Sequence, residues 1–388
     1  MRKIQYLLSA LLLVSVISSV SYTPSHAQSV TQPTISARSW LLLDTVSGQI
    51  LASHDAYKRI EPASLTKLMT SYLVFGAIRE GDLGLSQSIT PTDQVWNLAR
   101  GSSKMFIESR TPVKVQDLLY GLIVQSGNDA SIALAEAVSG SEADFVTLMN
   151  REAERMGMKS THFANSHGLS HKDNYSTPYD LSILAVNLIR DYPELYKIYA
   201  IREFTYNRIR QRNRNRLLWL DPTVDGMKTG HTEASGFSLI SSAKRDSAVG
   251  ERRLLAVVVG ADSDQMRAQE SLKLLNWGFE NFDTVKIFDR RRPIATLEVW
   301  KGSKNKVQVG FNFDAYVSVP KGATPRLKSV LERDEPIIAP IEANTRVGTL
   351  KMMLDGKVIS ELPVVALEPV SVASFLGRMF DTVQLWFN

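Results

Sequence analysis

Among its 388 residues the chain has no cysteine. Disulfides, thiol nucleophiles and thiolate-bound metals are thereby excluded, so any nucleophile must be a hydroxyl, a carboxylate or an amine. Histidine is scarce, with six copies. His167 and His171 are four apart, a spacing that on a helix could hold a metal. Gly168 lies between them, however, Asn165-Ser166 precede them, and no neighbouring carboxylate completes a zinc-protease pattern. A loop without metal is expected there, and nothing else calls for a cofactor. No charge of one sign dominates: the formal net charge is +5, and two of those charges lie in the first 27 residues. Such a balance does not point to nucleic acid as a partner. Low-complexity tracts are absent as well.

The one long apolar run, Leu7 to Val20, stands at the start behind Arg2 and Lys3. Ser25-His26-Ala27 follows with small residues where a signal peptidase reads, so residues 1–27 are expected to be a secretory signal peptide. The alternative is an uncleaved anchor, for which the run is short of the roughly 20 residues of a span. Residues 28–38 read as a disordered linker. Next, Ser39 to Asp44 and Gln49 to His54 flank Thr45-Val46-Ser47-Gly48 as a β-hairpin. Helical periodicity marks a stretch after Pro62, then Val115 to Gln125, Asp129 to Val138, Glu142 to Met156 and Pro178 to Arg190. Gly236 to Ala243 and Arg253 to Gly260 read as strands, and Gln265 to Phe282 as a helix. Strands at both ends with helices between them imply one α+β domain over residues 28–287. The texture of 288–369 is all β, with Asp355-Gly356 as a hairpin turn, and reads as a small sandwich. In 370–388, Val372, Phe375, Leu376, Met379, Phe380, Val383, Trp386 and Phe387 recur at intervals of three and four. This amphipathic helix is expected to lie in a membrane plane, the alternative being a helix packed on its own domain.

Three short motifs carry chemistry. In Ser64-Leu65-Thr66-Lys67 the serine and lysine are three apart, which puts them on one helix face. A serine hydroxyl attacks poorly unless a base takes its proton. A lysine can be that base only if its pKa falls by about 3 units, worth ~4 kcal/mol. The spacing recurs at Ser241/Lys244 and Ser303/Lys306, but only Ser64 opens a predicted helix, where free amides favour developing negative charge. Ser126-Gly127-Asn128 offers a proton-relaying hydroxyl and an amide that grips a peptide carbonyl; standing alone it would be a polar helix connection. Lys228-Thr229-Gly230 lies just before the predicted strands. A lysine and a hydroxyl there can hold a carboxylate, and glycine admits a substrate backbone. Strict strand alternation sends Lys228 and Thr229 to opposite faces. The basic run Arg208, Arg210, Arg212, Arg214, Arg216 is either a solvated loop or a wall for a carboxylate-bearing substrate.

Taken in order, these motifs resemble those of penicillin-interacting serine enzymes. The text around them, Pro62 to Lys67, Ser126 to Ala130 and Val224 to Thr232, is similar to the low-molecular-mass penicillin-binding proteins of the D-alanyl-D-alanine carboxypeptidase type. The resemblance implies a serine β-lactamase/DD-peptidase-like fold and no cofactor. It implies action on peptidoglycan stem peptides ending in D-Ala-D-Ala and inhibition by β-lactams. By position, Ser64 is the implied nucleophile, Lys67 the base, and Ser126 the proton relay. Asn128 grips the substrate amide, Lys228 sustains the electrostatics, and Thr229 and Gly230 border the terminal carboxylate. The backbone amides of Ser64 and His231 form the oxyanion hole, and Arg214 and Arg267 bind carboxylate. The implied place is the periplasmic face of the cytoplasmic membrane, reached after export. Three alternatives stay open: an endopeptidase with the same motifs, a class A β-lactamase, and a wall-binding scaffold. The lactamase would normally have Asp at position 127, where this chain has Gly127.

Overall fold

The computed structural model describes residues 30–98 and 101–375, together with Arg378 and Asp381. The expected signal peptide and most of the expected C-terminal helix lie outside the described residues. Five strands build an antiparallel sheet: β1 (Ser39–Asp44), β2 (Ile50–His54), β3 (Val224–Thr232), β4 (Gly236–Ser247) and β5 (Gly250–Ala261). Their order is β2-β1-β5-β4-β3, so β3 is an edge strand. The N-terminal hairpin completes the sheet through pairs such as Leu42 with Ala256.

Between β2 and β3 run the helices α1 (Lys67–Glu80), α2 (Val115–Tyr120), α3 (Asn128–Ser139), α4 (Glu142–Arg155) and α5 (Pro178–Asp191). A last one, α6 (Asp264–Asn281), follows β5. Their starts are set locally. Ser141, Thr177 and Ser263 each accept the amide three residues on, and Pro178 occupies the first turn of α5. The sheet is covered on both sides, and strand alternation decides which residue faces which layer. On β5, Leu255, Val257 and Val259 join the helical cluster core with Leu65, Leu68 and Met69. Leu254, Ala256 and Val258 join Leu274 and Leu275 of α6 on the other face.

The chain then forms an all-β domain. The strand Phe282–Phe288 pairs with Ala315–Pro320, so β structure begins at Phe282 and not at residue 288 as the sequence texture suggested. A five-stranded sheet takes the rest, in the order Pro293–Glu298, Lys306–Gly310, Lys357–Ala366, Arg346–Leu354, Leu327–Arg333. Strand Leu327–Arg333 was not read from sequence because, as a largely exposed edge, it lacks apolar alternation. One core with Val309, Phe311, Val317, Leu350 and Val364 unites this domain. The expected linker is also more ordered than foreseen. Ile35 is buried beside Trp40, and the Ser36 amide donates to Glu270.

Asp44, at the end of β1, joins the two domains. It is 0% exposed and ion-paired at 2.8 Å with Arg252, which is 3% exposed. The same carboxylate oxygen accepts from Thr284 Oγ1 at 2.5 Å and Ser318 Oγ at 3.0 Å in the β domain. The other oxygen takes the amides of Val46 and Ser47. Removing one partner of a buried pair strands the other charge at a cost of about 3–5 kcal/mol. Asp44→Ala should therefore lower unfolding free energy by about that much in a denaturant titration; a loss under about 1 kcal/mol would contradict this account.

Candidate active site

Ser64 sits in the 3-10 turn Ala63–Thr66, which runs directly into α1. At three residues per turn, positions i and i+3 eclipse, so Lys67 lies beneath the serine more squarely than on an α-helix. Lys67 Nζ stands 3.1 Å from Ser64 Oγ, 2.7 Å from Asn128 Oδ1 and 2.5 Å from the carbonyl oxygen of His167. Burial above all, and then the charge of Arg214, push its pKa down from 10.5 to about 7, against a smaller opposing pull from Asp129. A neutral amine has two hydrogens and one lone pair. Asn128 Oδ1 and the His167 carbonyl can only accept, so they take both hydrogens. The lone pair is left for the one partner that can donate, the Ser64 hydroxyl.

Ser126 follows the π-helical turn Gly121–Gln125 in a left-handed conformation, with φ of 64°. Its buried hydroxyl has no hydrogen-bond partner among the described residues, and it lines the cavity together with Ser64 and Asn128. An unmatched buried hydroxyl carries a desolvation cost, consistent with a group reserved for a substrate. The loop is fixed from behind by Asp129. Its carboxylate accepts the amides of Met105 at 2.9 Å, Phe106 at 2.9 Å and Ile107 at 3.2 Å.

Lys228-Thr229-Gly230 lies before the two strands read from sequence and itself forms part of edge strand β3, in register with Ile240, Leu239 and Ser238. Thr229, Gly230 and the exposed His231 line the cavity. Lys228 is buried, and burial first, then Lys67, Arg214 and Arg267, hold its pKa well below the ordinary lysine value. A Cβ on Gly230 would stand 3.2 Å from the Pro62 carbonyl oxygen and Leu65 Cγ, so glycine lets β3 lie against the serine turn. Arg267 of α6 donates to the Gly230 carbonyl at 3.2 Å, is held by Asp264, and borders the cavity with Arg214. All ten residues singled out in the sequence thus converge on one region, the two lysines behind the wall and the others on or beside it. The decoy pairs do not. Ser303 is exposed, and Lys244 forms a half-exposed pair with Glu251.

Sequence reasoning missed the loop Asn165 to Leu169. His167 serves through its carbonyl, while burial and the charge of Lys67 push its imidazole down to about 4. His171 is exposed beside Asp173. Ser166 is gripped at every polar atom. Its amide and hydroxyl donate to Glu142 at 3.0 and 2.7 Å, and its carbonyl accepts from Thr70 and Ser131. Gly168 has φ of +83°, and a Cβ there would sit 1.9 Å from the Ala63 carbonyl oxygen. His167 was in plain sight, but only as half of a rejected metal pair with His171.

A serine hydroxyl beside a lysine whose pKa is lowered to about 7, in a cationic cleft, makes this an acyl-transfer enzyme of the serine type, in the arrangement of the penicillin-interacting enzymes. Residues 26–263 match the family described as D-alanyl-D-alanine carboxypeptidase, and 282–371 match the penicillin-binding protein 5 C-terminal domain. D-alanyl-D-alanine carboxypeptidase DacC of Escherichia coli K12 is 42% identical over 367 residues, covering 93% of this chain and 91% of that protein. Penicillin binding protein 5 from Haemophilus influenzae superposes with a TM-score of 0.82 at 40% identity, covering 88% of this chain and 100% of that one. Penicillin-binding protein D2 from Listeria monocytogenes, solved in its cefotaxime-bound form, does so with a TM-score of 0.59 at 29% identity, covering 64% and 99%. The chain belongs to the D-alanyl-D-alanine carboxypeptidase family.

The state of Lys67 sets the pH dependence. Only its neutral form has a lone pair that can take the Ser64 proton, and that form gains population as pH rises through about 7. His167, already neutral above about 4, does not contribute to that limb. The second-order rate of acylation by a labelled penicillin should climb between pH 5 and 7 and level above 8. A flat profile would exclude Lys67 as the base.

Proposed function

We propose that this serine D-alanyl-D-alanine carboxypeptidase removes the terminal D-alanine of peptidoglycan stem peptides through an ester on Ser64. The observation that carries the reading is the place of Lys67 Nζ, 3.1 Å from Ser64 Oγ and within hydrogen-bond reach of two oxygens that can only accept. Ser64 Oγ attacks the carbonyl carbon of the penultimate D-alanine and gives its proton to Lys67 Nζ. The backbone amides of Ser64 and His231 hold the oxyanion. As the C–N bond breaks, the leaving D-alanine amine takes a proton through the Ser126 hydroxyl. Water, deprotonated by Lys67, then cleaves the ester and returns the hydroxyl to Ser64. Asn128 orients the substrate amide and Lys228 sustains the electrostatics from behind the wall, while Thr229, Arg214 and Arg267 hold the terminal carboxylate. A β-lactam acylates the same serine. Gly127 in place of an aspartate and the additional β domain favour this reading over a β-lactamase. Incubating the mature protein with a pentapeptide ending in D-Ala-D-Ala should yield a tetrapeptide by mass. Ser64→Ala should abolish both this product and penicillin labelling; label mapped to Ser241 or Ser303 would overturn the assignment.

The location belongs to the same proposal: an exported enzyme on the periplasmic face of the cytoplasmic membrane, held by residues 370–388. Supporting it are the apolar run behind Arg2 and Lys3 and the spacing of the tail's apolar residues. Asp381, from the polar side of that pattern, accepts the Lys301 amide at 2.5 Å, whereas Phe375 is 71% exposed. Deleting 370–388 should move the mature protein from anionic vesicles into the soluble fraction with peptide turnover unchanged. Equal partitioning of both forms would leave the tail as a packing helix.

A further inference from the structure

Amides and arginines alternate along Gln211-Arg212-Asn213-Arg214-Asn215-Arg216. The amides turn inward and fasten the segment. Gln211 donates to the Met105 carbonyl at 3.0 Å, Asn213 to Ile201 at 2.9 Å and Asn215 to Gly226 at 3.0 Å. The arginines alternating with them face the other way, and all three line the cavity that holds Ser64. They are not equivalent. Arg216 stands 3.7 Å from Asp264. Arg214 lowers the pKa of both active-site lysines. Arg212 has no acidic partner within 4.0 Å among the described residues; its guanidinium lies 5.0 Å over the ring of Trp219, which also lines the cavity.

A guanidinium stacked on an indole keeps its N–H fork free at the edge, the geometry that grips a carboxylate in two places. One terminal carboxylate is served by two such forks, and Arg214 with Arg267 supply them, so Arg212 is surplus to it. The cavity of about 1040 Å³ is at the upper end for an entire drug-sized ligand, roughly 300–1,000 Å³, and exceeds what a D-alanyl-D-alanine end needs. We infer that Arg212, mounted on Trp219, is a subsite for a second carboxylate of the substrate, carried by an acidic residue that either leaves or immediately precedes the D-Ala-D-Ala end. The inference rests on the carboxypeptidase reading above and gives the enzyme a preference for acidic peptides.

The test uses the mature protein and two pairs of peptides. One pair has Glu or Gln immediately before D-Ala-D-Ala; the other has D-Glu or D-Gln as the terminal, leaving residue. The readout is the ratio of kcat/KM, acidic over neutral, taken within each protein variant so that losses in folding cancel. In one of the pairs the ratio should be about 5–10, fall at 0.5 M salt as screening shortens the reach of charge, and drop to about 1 in Arg212→Gln. A ratio near 1 in both pairs, or one untouched by Arg212→Gln, overturns the subsite alone. No release of a D-amino acid from any peptide overturns the carboxypeptidase reading and the subsite with it.

Discussion

Desolvation of the Lys67 amine is the constraint on which the rest of the site depends. Lowering a lysine from 10.5 to about 7 costs the folded state about 5 kcal/mol, at 1.36 kcal/mol per unit. The sign follows from proton binding. Between those two pH values the unfolded chain holds a proton that the folded one lacks, so the cost is full below pH 7 and fades as pH rises toward 10.5. The fold accepts this penalty where it gains reactivity, and an apolar residue at position 67 would trade activity for stability. Cations sharpen the effect. Arg214 lowers Lys67, and Lys67, Arg214 and Arg267 together lower Lys228, so a substrate carboxylate arriving in the cleft relieves a repulsion that folding built in.

Such a site needs its partners held still, and the supports come from elements distant in sequence. Asp129 pins residues 105–107 behind Ser126, while Glu142, Thr70 and Ser131 pin Ser166 so that the next carbonyl meets Lys67. Two glycines make the closeness possible. At Gly168 and Gly230 a side chain would meet the backbone of the turn carrying Ser64. Edge strand β3 is braced from its far side by Asp225, which binds Arg253 and the hydroxyl of Tyr196. The β domain is tied to the same sheet through Asp44, Gln49 and Ser47, whose partners include Ser318 and the Ile359 carbonyl. Strand β1 therefore links the catalytic sheet to the joint by continuous backbone.

The sequence by itself determined the α+β order, most element positions and all ten proposed site residues. Most of those features are local: apolar period, capping residues, and motifs whose members lie within three positions of each other, while Arg214 and Arg267 stood out only through the family resemblance of the sequence around them. Only the tertiary structure decided what neutralises Lys67, since burial and the approach of Arg214 join residues far apart in the chain. The role of the His167 carbonyl was likewise hidden, because a main-chain oxygen leaves no trace in residue type. The arginine run shows the division in one segment. Its period of two was readable, but which arginine meets an acid and which an indole depended on Asp264 and Trp219. Side-chain chemistry is written in order along the chain, whereas electrostatic environment is a sum over space, and only folding fixes the distances in that sum.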